Sequence, residues 1–467
     1  MTARKFIRWI SARGSLRTLS RWLFLATLII APWLYGGTTA VSIELIDGML
    51  ALTLTFWIAS LLVDRRWPVL PRTLVAIAGL FLLQGWWMVL NARAIYDPSF
   101  ESFVFLKPLA PDLAGSADYV LSYAFMVRAT LLIGIIFLVA DLAQRSHWLL
   151  RLWYTAAISG GMIALLGLLQ KASGAHMIFW QPPTSPPMDS FFGTFFYHAN
   201  AGAFLNLLLP VVAGLAIWAM AKYKRALART LPAIIALITV LAIVANTSRM
   251  AQVVGAFVGV SVIVLVVRPT ARQVARVDKP TLMFTIALVA LTIFAVAQAS
   301  HLDQPLKRWQ QFRKHLPADE RWVANRAAFG AIEEAGAFGF GPGAFRAAFH
   351  HYQAAPDSKL HGTWRFLHDD YLQTILEWGW IGAALIACLF MGGVAVGAWN
   401  YFRNDGWSNR QSVFLSCVLL ALIGVAIHGA VDFPLQILTI QLLVATYLGV
   451  CWGTAGWNST TRRKLKS

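Results

Sequence analysis

Charge is what this sequence of 467 residues is short of: Asp, Glu, Lys and Arg together make up only 13% of it. A soluble domain carries about 25%, so a water-exposed surface of ordinary size is excluded. Cysteine is scarce as well. Cys388, Cys417 and Cys451 all fall inside apolar runs, which excludes a disulfide framework and argues against a thiolate metal site. No Rossmann, Walker or zinc-ligand spacing occurs, and Gly339-Phe-Gly-Pro-Gly343 lacks the following Lys-Ser/Thr of a nucleotide-binding loop. No cofactor is expected.

Apolar residues are abundant, at 58% of the chain with a mean hydropathy of +0.62. Runs such as Leu131–Ala140, Ala233–Ala245 and Thr281–Ala297 are each the centre of a membrane-spanning helix, and no soluble core could absorb them all. The sequence predicts an all-α polytopic membrane protein of about twelve spans. They are placed at 22–37, 41–63, 73–91, 119–140, 148–170, 194–221, 230–246, 250–267, 281–299, 371–399, 411–428 and 433–454. The basic and apolar N-terminus resembles a signal peptide; a retained first helix is preferred, since the apolar run continues through Trp33 and Leu34.

The net charge of +18 invites a nucleic-acid reading, but its distribution argues for membrane orientation instead. With the N-terminus in the cytoplasm, alternate loops and tails hold 25 of the 39 Lys and Arg residues on the inside. Thirteen lie outside, nine of them in one long loop, and Arg128 remains within a span. Every short loop obeys the positive-inside rule. The expected organisation is a cytoplasmic tail over 1–21, nine helices over 22–299, an extracytoplasmic loop over 300–370, three helices over 371–454 and a cytoplasmic tail over 455–467. The long loop, about seventy residues, is unusual between spans. Its amphipathic stretch Arg321–Glu334, followed by the Gly-rich segment, predicts a small helical cap.

Several polar groups lie where lipid should exclude them. Arg128 at mid-span costs about 2.5–3.5 kcal/mol to insert; it is either an anion site facing an aqueous cavity or a structural, snorkelling arginine. Arg249, in the tight turn Asn246-Thr-Ser-Arg-Met250, is either a phosphate ligand or an interfacial anchor. The adjacent His350 and His351 point about 100° apart on a helix, so no metal is expected there. His368, in Leu367-His-Asp-Asp-Tyr-Leu372, is placed to accept a hydroxyl proton with Asp369 or Asp370 orienting it. The plainer alternative is a solvated helix start with Asp370 as its cap. Asp432, four residues after His428, either helps to position the cap or, more simply, caps the last span. Trp364, Trp378 and Trp380 read as an interfacial belt.

Four segments resemble the O-antigen ligase and polymerase superfamily of bacterial envelope polysaccharide enzymes. They are Gly193-Thr-Phe-Phe-Tyr-His-Ala-Asn-Ala201, Asn246-Thr-Ser-Arg249, the stretch Arg321 to Gly343, and His368-Asp-Asp-Tyr-Leu-Gln373 with Glu377-Trp-Gly-Trp-Ile-Gly382. The likeness covers most of residues 190–450. Gly336 stands where the family has Pro, Asn325 where it has an aromatic, and Asp369 where it has Asn.

The resemblance implies a GT-C-like fold and transfer of an undecaprenyl-diphosphate-linked glycan to an acceptor hydroxyl, with inversion and without a metal. Arg249 and Arg321 would bind the diphosphate and His368 would act as base. Arg128, Asn200 and Asp370 would join the substrate-binding residues. The acceptor would be lipid A-core, a growing glycan or a protein hydroxyl, and the site would face the periplasm from the inner membrane. The competing class is a polysaccharide or lipid transporter, although no internal repeat of the kind such proteins often carry is evident.

Overall fold

The computed structural model describes residues 3–99, 102–182, 190–267, 283, 309–310, 320–353, 360, 364–403 and 408–457, with side chains from Gly14 onward. The helices are α1 (Ala3–Trp33), α2 (Ala40–Asp64), α3 (Arg72–Leu90), α4 (Tyr119–Leu142), α5 (Ser146–Ala172), α6 (His198–Lys222) and α7 (Ala226–Ala245). They continue with α8 (Arg249–Val262), α9 (Glu320–Ala335), α10 (Phe345–Gln353), α11 (Asp370–Phe402), α12 (Asn409–Gly429) and α13 (Leu438–Gly453). Among the described residues, nine helices are long and apolar enough to cross a membrane. The chain is an all-α polytopic membrane protein, and among the described residues the one small sheet is the antiparallel pair Ala94–Asp97 with Ser102–Phe105 in the segment between α3 and α4.

Sequence patterning located most spans within a few residues, and the differences have physical causes. The first expected span is the apolar half of a helix that is continuous from Ala3 to Trp33. The eighth is α8, followed by one π turn over 263–267. The last span starts at Leu438, not at 433, because Pro434–Gln436 form a 3-10 turn. The ninth, 281–299, lies outside the described residues save Met283, as do Arg268, Arg272, Arg276, Lys279, His301, His315, His361 and the tail beyond Trp457. Of the expected cap, the described helices are α9 and α10.

Helices α6 and α13 form the centre, buried along 83% and 89% of their apolar windows, whereas α11 is buried along only 22%. Lipid offers no hydrophobic drive between helices, so close approach depends on small residues. Gly202 of α6 faces Ala251 of α8, Gly160 of α5 faces Leu208, and Gly214 of α6 faces Cys417 of α12.

The cap is fastened to the bundle where α11 breaks. Gly379 has φ 62° and ψ −174° inside the helix, which frees three carbonyls on one side of the break. Inside a membrane bundle such groups must find partners within the protein. Phe340 N–H donates to Leu376 O and Gly341 N–H to Glu377 O, both at 2.9 Å. Gln84 Nε2 donates to Trp378 O at 3.0 Å, while Ile381 N–H reaches Ala337 O at 3.0 Å. A Cβ on Gly379 would meet the Ala337 carbonyl, and one on Gly339 would meet the Glu377 carbonyl. The Glu377 carboxylate then accepts from Gly343 N–H at 3.2 Å and Phe345 N–H at 3.4 Å, holding the start of α10. Trp378, expected in an interfacial belt, is instead buried and stacked on Phe81 at 4.5 Å.

Gly379→Ala would place a side chain in the left-handed region and against a backbone carbonyl. The expected loss is at least about 1–3 kcal/mol, read as a lower melting temperature of the detergent-purified protein. An unchanged melting temperature would contradict the docking of the Gly-rich loop on the break.

Candidate active site

The site is built where α11 begins and where α12 turns into α13. Asp369 caps α11, its Oδ1 accepting from Tyr371 N–H and Leu372 N–H, each at 3.0 Å. Burial raises its carboxyl above the ordinary aspartate range, against these two bonds. Asp370 faces the opposite way, into the protein. Its Oδ2 accepts from Leu435 N–H at 2.8 Å and its Oδ1 from Gln436 Nε2 at 3.0 Å. Asp370 thus pins the 3-10 turn to the start of α11, and neither residue orients His368. That task falls to Asp432, which does not cap α13: its Oδ1 stands 3.1 Å from His368 Nδ1.

Asp432 is the hub of a polar chain. The residue is only 3% exposed. Burial pushes its pKa up, but the His368 hydrogen bond and the charges of Arg321 and His368 outweigh this and hold it below the usual carboxylate range. On the other side the Tyr197 hydroxyl donates to Asp432 Oδ2 at 3.4 Å. Burial and the Asp432 charge keep this phenol above its ordinary range, so it is a neutral donor. The Tyr197 oxygen accepts from Arg321 Nη2 at 2.9 Å, and Arg321 Nη1 donates to Val431 O at 3.3 Å.

Each donor in this chain leads to the next acceptor. A carboxylate can only accept, so His368 carries its proton on Nδ1 and presents Nε2 as the basic atom. Aromatic rings wall the imidazole. Phe433 lies edge-on to it at 4.6 Å and stacks on both Tyr197 and Phe366; Trp364 stands edge-on at 5.7 Å. His368 itself has φ 61°. For a residue with a Cβ this is a sparsely populated conformation of the sort that clusters at functional sites.

The structure joins His368 and Arg321 in one bonded chain and puts Arg249 at the same end of the bundle. Ser248 caps α8, accepting from Ala251 N–H, and Asn246 Oδ1 accepts from Ser248 N–H at 2.8 Å. Asn246 Nδ2 donates to the carbonyl of His198, the neighbour of Tyr197, at 2.9 Å. The α7–α8 turn that carries Arg249 is therefore locked to the start of α6. Asn200, in the first turn of α6, is buried, and among the described residues its Oδ1 has no hydrogen-bond partner. Buried polar atoms of this kind require an explanation, and among the described residues His428, four positions before Asp432, has two of them.

Arg128 lies apart, as an intramembrane ion pair with Asp47 of α2 at 3.8 Å. It lines a cavity of 190 Å3 walled by Phe81, Trp378 and Leu389, with Glu377, Gln436 and Gln441 as polar members. Gln436, the partner of Asp370, connects this cavity to the site above. Among the described residues no group of three or more His, Cys, Asp or Glu side chains is arranged to hold a metal ion.

Sequence reasoning missed Tyr197 and the role of Asp432. Tyr197 lies within a recognised motif, and the spacing of His428 and Asp432 marked that turn, but no local signal ties either to His368.

A helical membrane bundle with a histidine–carboxylate pair tied to an arginine at one end defines the class: a polytopic membrane protein with a polar cluster at one end. Residues 234–387 match the model of a family described as O-antigen ligase. The match supports the O-antigen ligase superfamily for this chain, and with it a family of glycan ligases and polymerases of polysaccharide assembly. It takes in Arg249, Arg321, the Gly-rich loop, His368 and Glu377, while Tyr197 and Asp432 lie outside it. No curated protein matches the chain.

Tyr197→Phe keeps the ring stacked on Phe433 but leaves Arg321 and Asp432 one partner short. Leaving buried polar groups unsatisfied costs about 1–3 kcal/mol, so the melting temperature should fall. No change would contradict the coupling of α9 to the turn through this hydroxyl.

Proposed function

We propose that the chain transfers an undecaprenyl-diphosphate-linked glycan to an acceptor hydroxyl at the periplasmic face of the bacterial inner membrane. The observation that carries this reading is the 3.1 Å contact between His368 Nδ1 and the buried Asp432 carboxylate, tied through Tyr197 to Arg321. The prevalence of basic residues at the opposite end supports the orientation.

In this mechanism His368 Nε2 takes the proton of the acceptor hydroxyl while its oxygen attacks the anomeric carbon. The bond from that carbon to the diphosphate oxygen breaks, its electron pair leaves with undecaprenyl diphosphate, and the configuration inverts. Asp432 stabilises the imidazolium that forms and fixes its tautomer, as the carboxylate does in a serine–histidine–aspartate triad. Arg321 and Arg249 offset the charge growing on the leaving diphosphate. Two guanidinium groups fill the place a divalent cation takes elsewhere, so transfer needs no metal. Arg128 and Asn200 belong to the donor's path, and Asp370 serves the site by holding the turn that carries Asp432.

The acceptor is lipid A-core or a growing polysaccharide, with a protein hydroxyl as the third class. Deletion in the native host separates them on a gel of surface polysaccharide. Unligated chains indicate a ligase, single repeat units a polymerase, and an unchanged polysaccharide with loss of protein glycosylation the third.

His368→Ala should abolish transfer from a lipid-diphosphate donor with the protein still inserted. Asp432→Asn should slow it by about 10²–10⁴-fold, the range for general base catalysis. Wild-type activity should persist in EDTA. Normal transfer by His368→Ala would remove the base assignment, and strict metal dependence would overturn the arginine-based account.

A further inference from the structure

The end of the bundle opposite His368 carries a charge cluster that the proposed reaction does not use. Arg66, just beyond α2, makes a two-point ion pair with Asp141 at 2.8 and 2.7 Å, and Trp57 Nε1 donates to the same carboxylate. Asp64 lies 3.8 Å from Arg17 and 3.9 Å from Arg66. Both carboxylates are thus matched. Arg21, Arg145 and Arg151 form no ion pair among the described residues.

Two of these cations, Arg21 and Arg151, are organised on indole rings. Trp22 of α1 and Trp148 of α5 meet edge to face at 5.7 Å. The Arg151 guanidinium stands 4.4 Å from the Trp148 ring and 5.1 Å from Trp22, and that of Arg21 stands 5.0 Å from Trp148. Arg21 is only 6% exposed, and Arg145, Arg17 and Arg66 outnumber Asp141 among its charged neighbours. Cation–π contacts offset part of that cost, but a desolvated cation among like charges still requires an anion.

The form of that anion follows from what lies beneath. Helix α5 is mostly buried, and between its first and last turns the exposed residues form one stripe at helical spacing: Arg151, Ile158, Met162, Leu165 and Leu169. An exposed cation at the membrane boundary with an apolar track running from it toward the bilayer matches an amphiphile with a negative headgroup. We propose that the seam of α1 and α5 binds an anionic glycerophospholipid, with its phosphate at Arg21, Arg145 and Arg151 and its acyl chains along the α5 stripe. The site is independent of the transfer reaction.

The test uses the full chain purified in detergent and titrated separately with phosphatidylglycerol, phosphatidylethanolamine and inorganic phosphate, followed by native mass spectrometry and thermal unfolding. Phosphatidylglycerol should be retained and raise the melting temperature. Arg151→Gln, at an exposed position that folding tolerates, should weaken retention about fivefold, the value of one arginine at an anionic membrane surface. Lys224→Gln, a basic residue at the same end but off the seam, should leave it unchanged. Equal retention of phosphatidylethanolamine, equal stabilisation by inorganic phosphate, or unaltered binding by Arg151→Gln would each overturn the proposal.

Discussion

A carboxylate buried at the end of a membrane bundle has to be ringed by donors, and the arrangement around Asp432 follows from that requirement. It takes a bond from His368 on one oxygen and from Tyr197 on the other, while Arg321 reaches Tyr197 from the cap. One charge therefore orients an imidazole, engages the start of α6 and fixes how α9 lies over the bundle. The turn that bears Asp432 is itself held by Asp370, through Leu435 and Gln436. Two acids near the same helix start have divided the work: Asp370 builds the platform and Asp432 charges the site.

The broken helix α11 supplies the framework. Gly379 interrupts the helix, and the carbonyls released there are met by the backbone of residues 340–341 and by Gln84. The Gly-rich segment is thereby a strap laid across the break, which explains both its glycines and its distance from any phosphate-binding pattern. Glu377 belongs to the same framework through its bonds to Gly343 and Phe345. Gly336 has φ 62°, a conformation closed to proline, so the chain leaves α9 along a path that proline could not follow. The sequence signature thus separates into groups at the candidate site and groups that hold the framework.

How much of this was legible in the sequence depends on the range of each interaction. Membrane spans are local: about twenty apolar residues declare themselves, and α2 through α7 fell close to their expected places. His368, Arg249 and Arg321 were legible as polar groups at one membrane face. The partner of His368 was not, because it lies 64 positions away, and the adjacent Asp369 and Asp370 were better placed in sequence but turned elsewhere by capping and by the 3-10 turn. Tyr197 lies 124 positions from Arg321 and 235 from Asp432, so only tertiary structure brings them together. Trp378 matched an interfacial belt by composition, yet the break at Gly379 draws it inward. Arg128 left two readings open, and its counter-charge, Asp47, lies on another helix.

The central claim is that Tyr197 and Asp432 act as one unit behind His368. The most direct measurement is a double-mutant cycle on the rate of glycan transfer, using Tyr197→Phe and Asp432→Asn singly and together. Independent sites add to within about 0.3–0.5 kcal/mol. The account predicts a double variant little slower than Asp432→Asn alone, with a coupling well beyond that margin. Strict additivity of the two losses would contradict it.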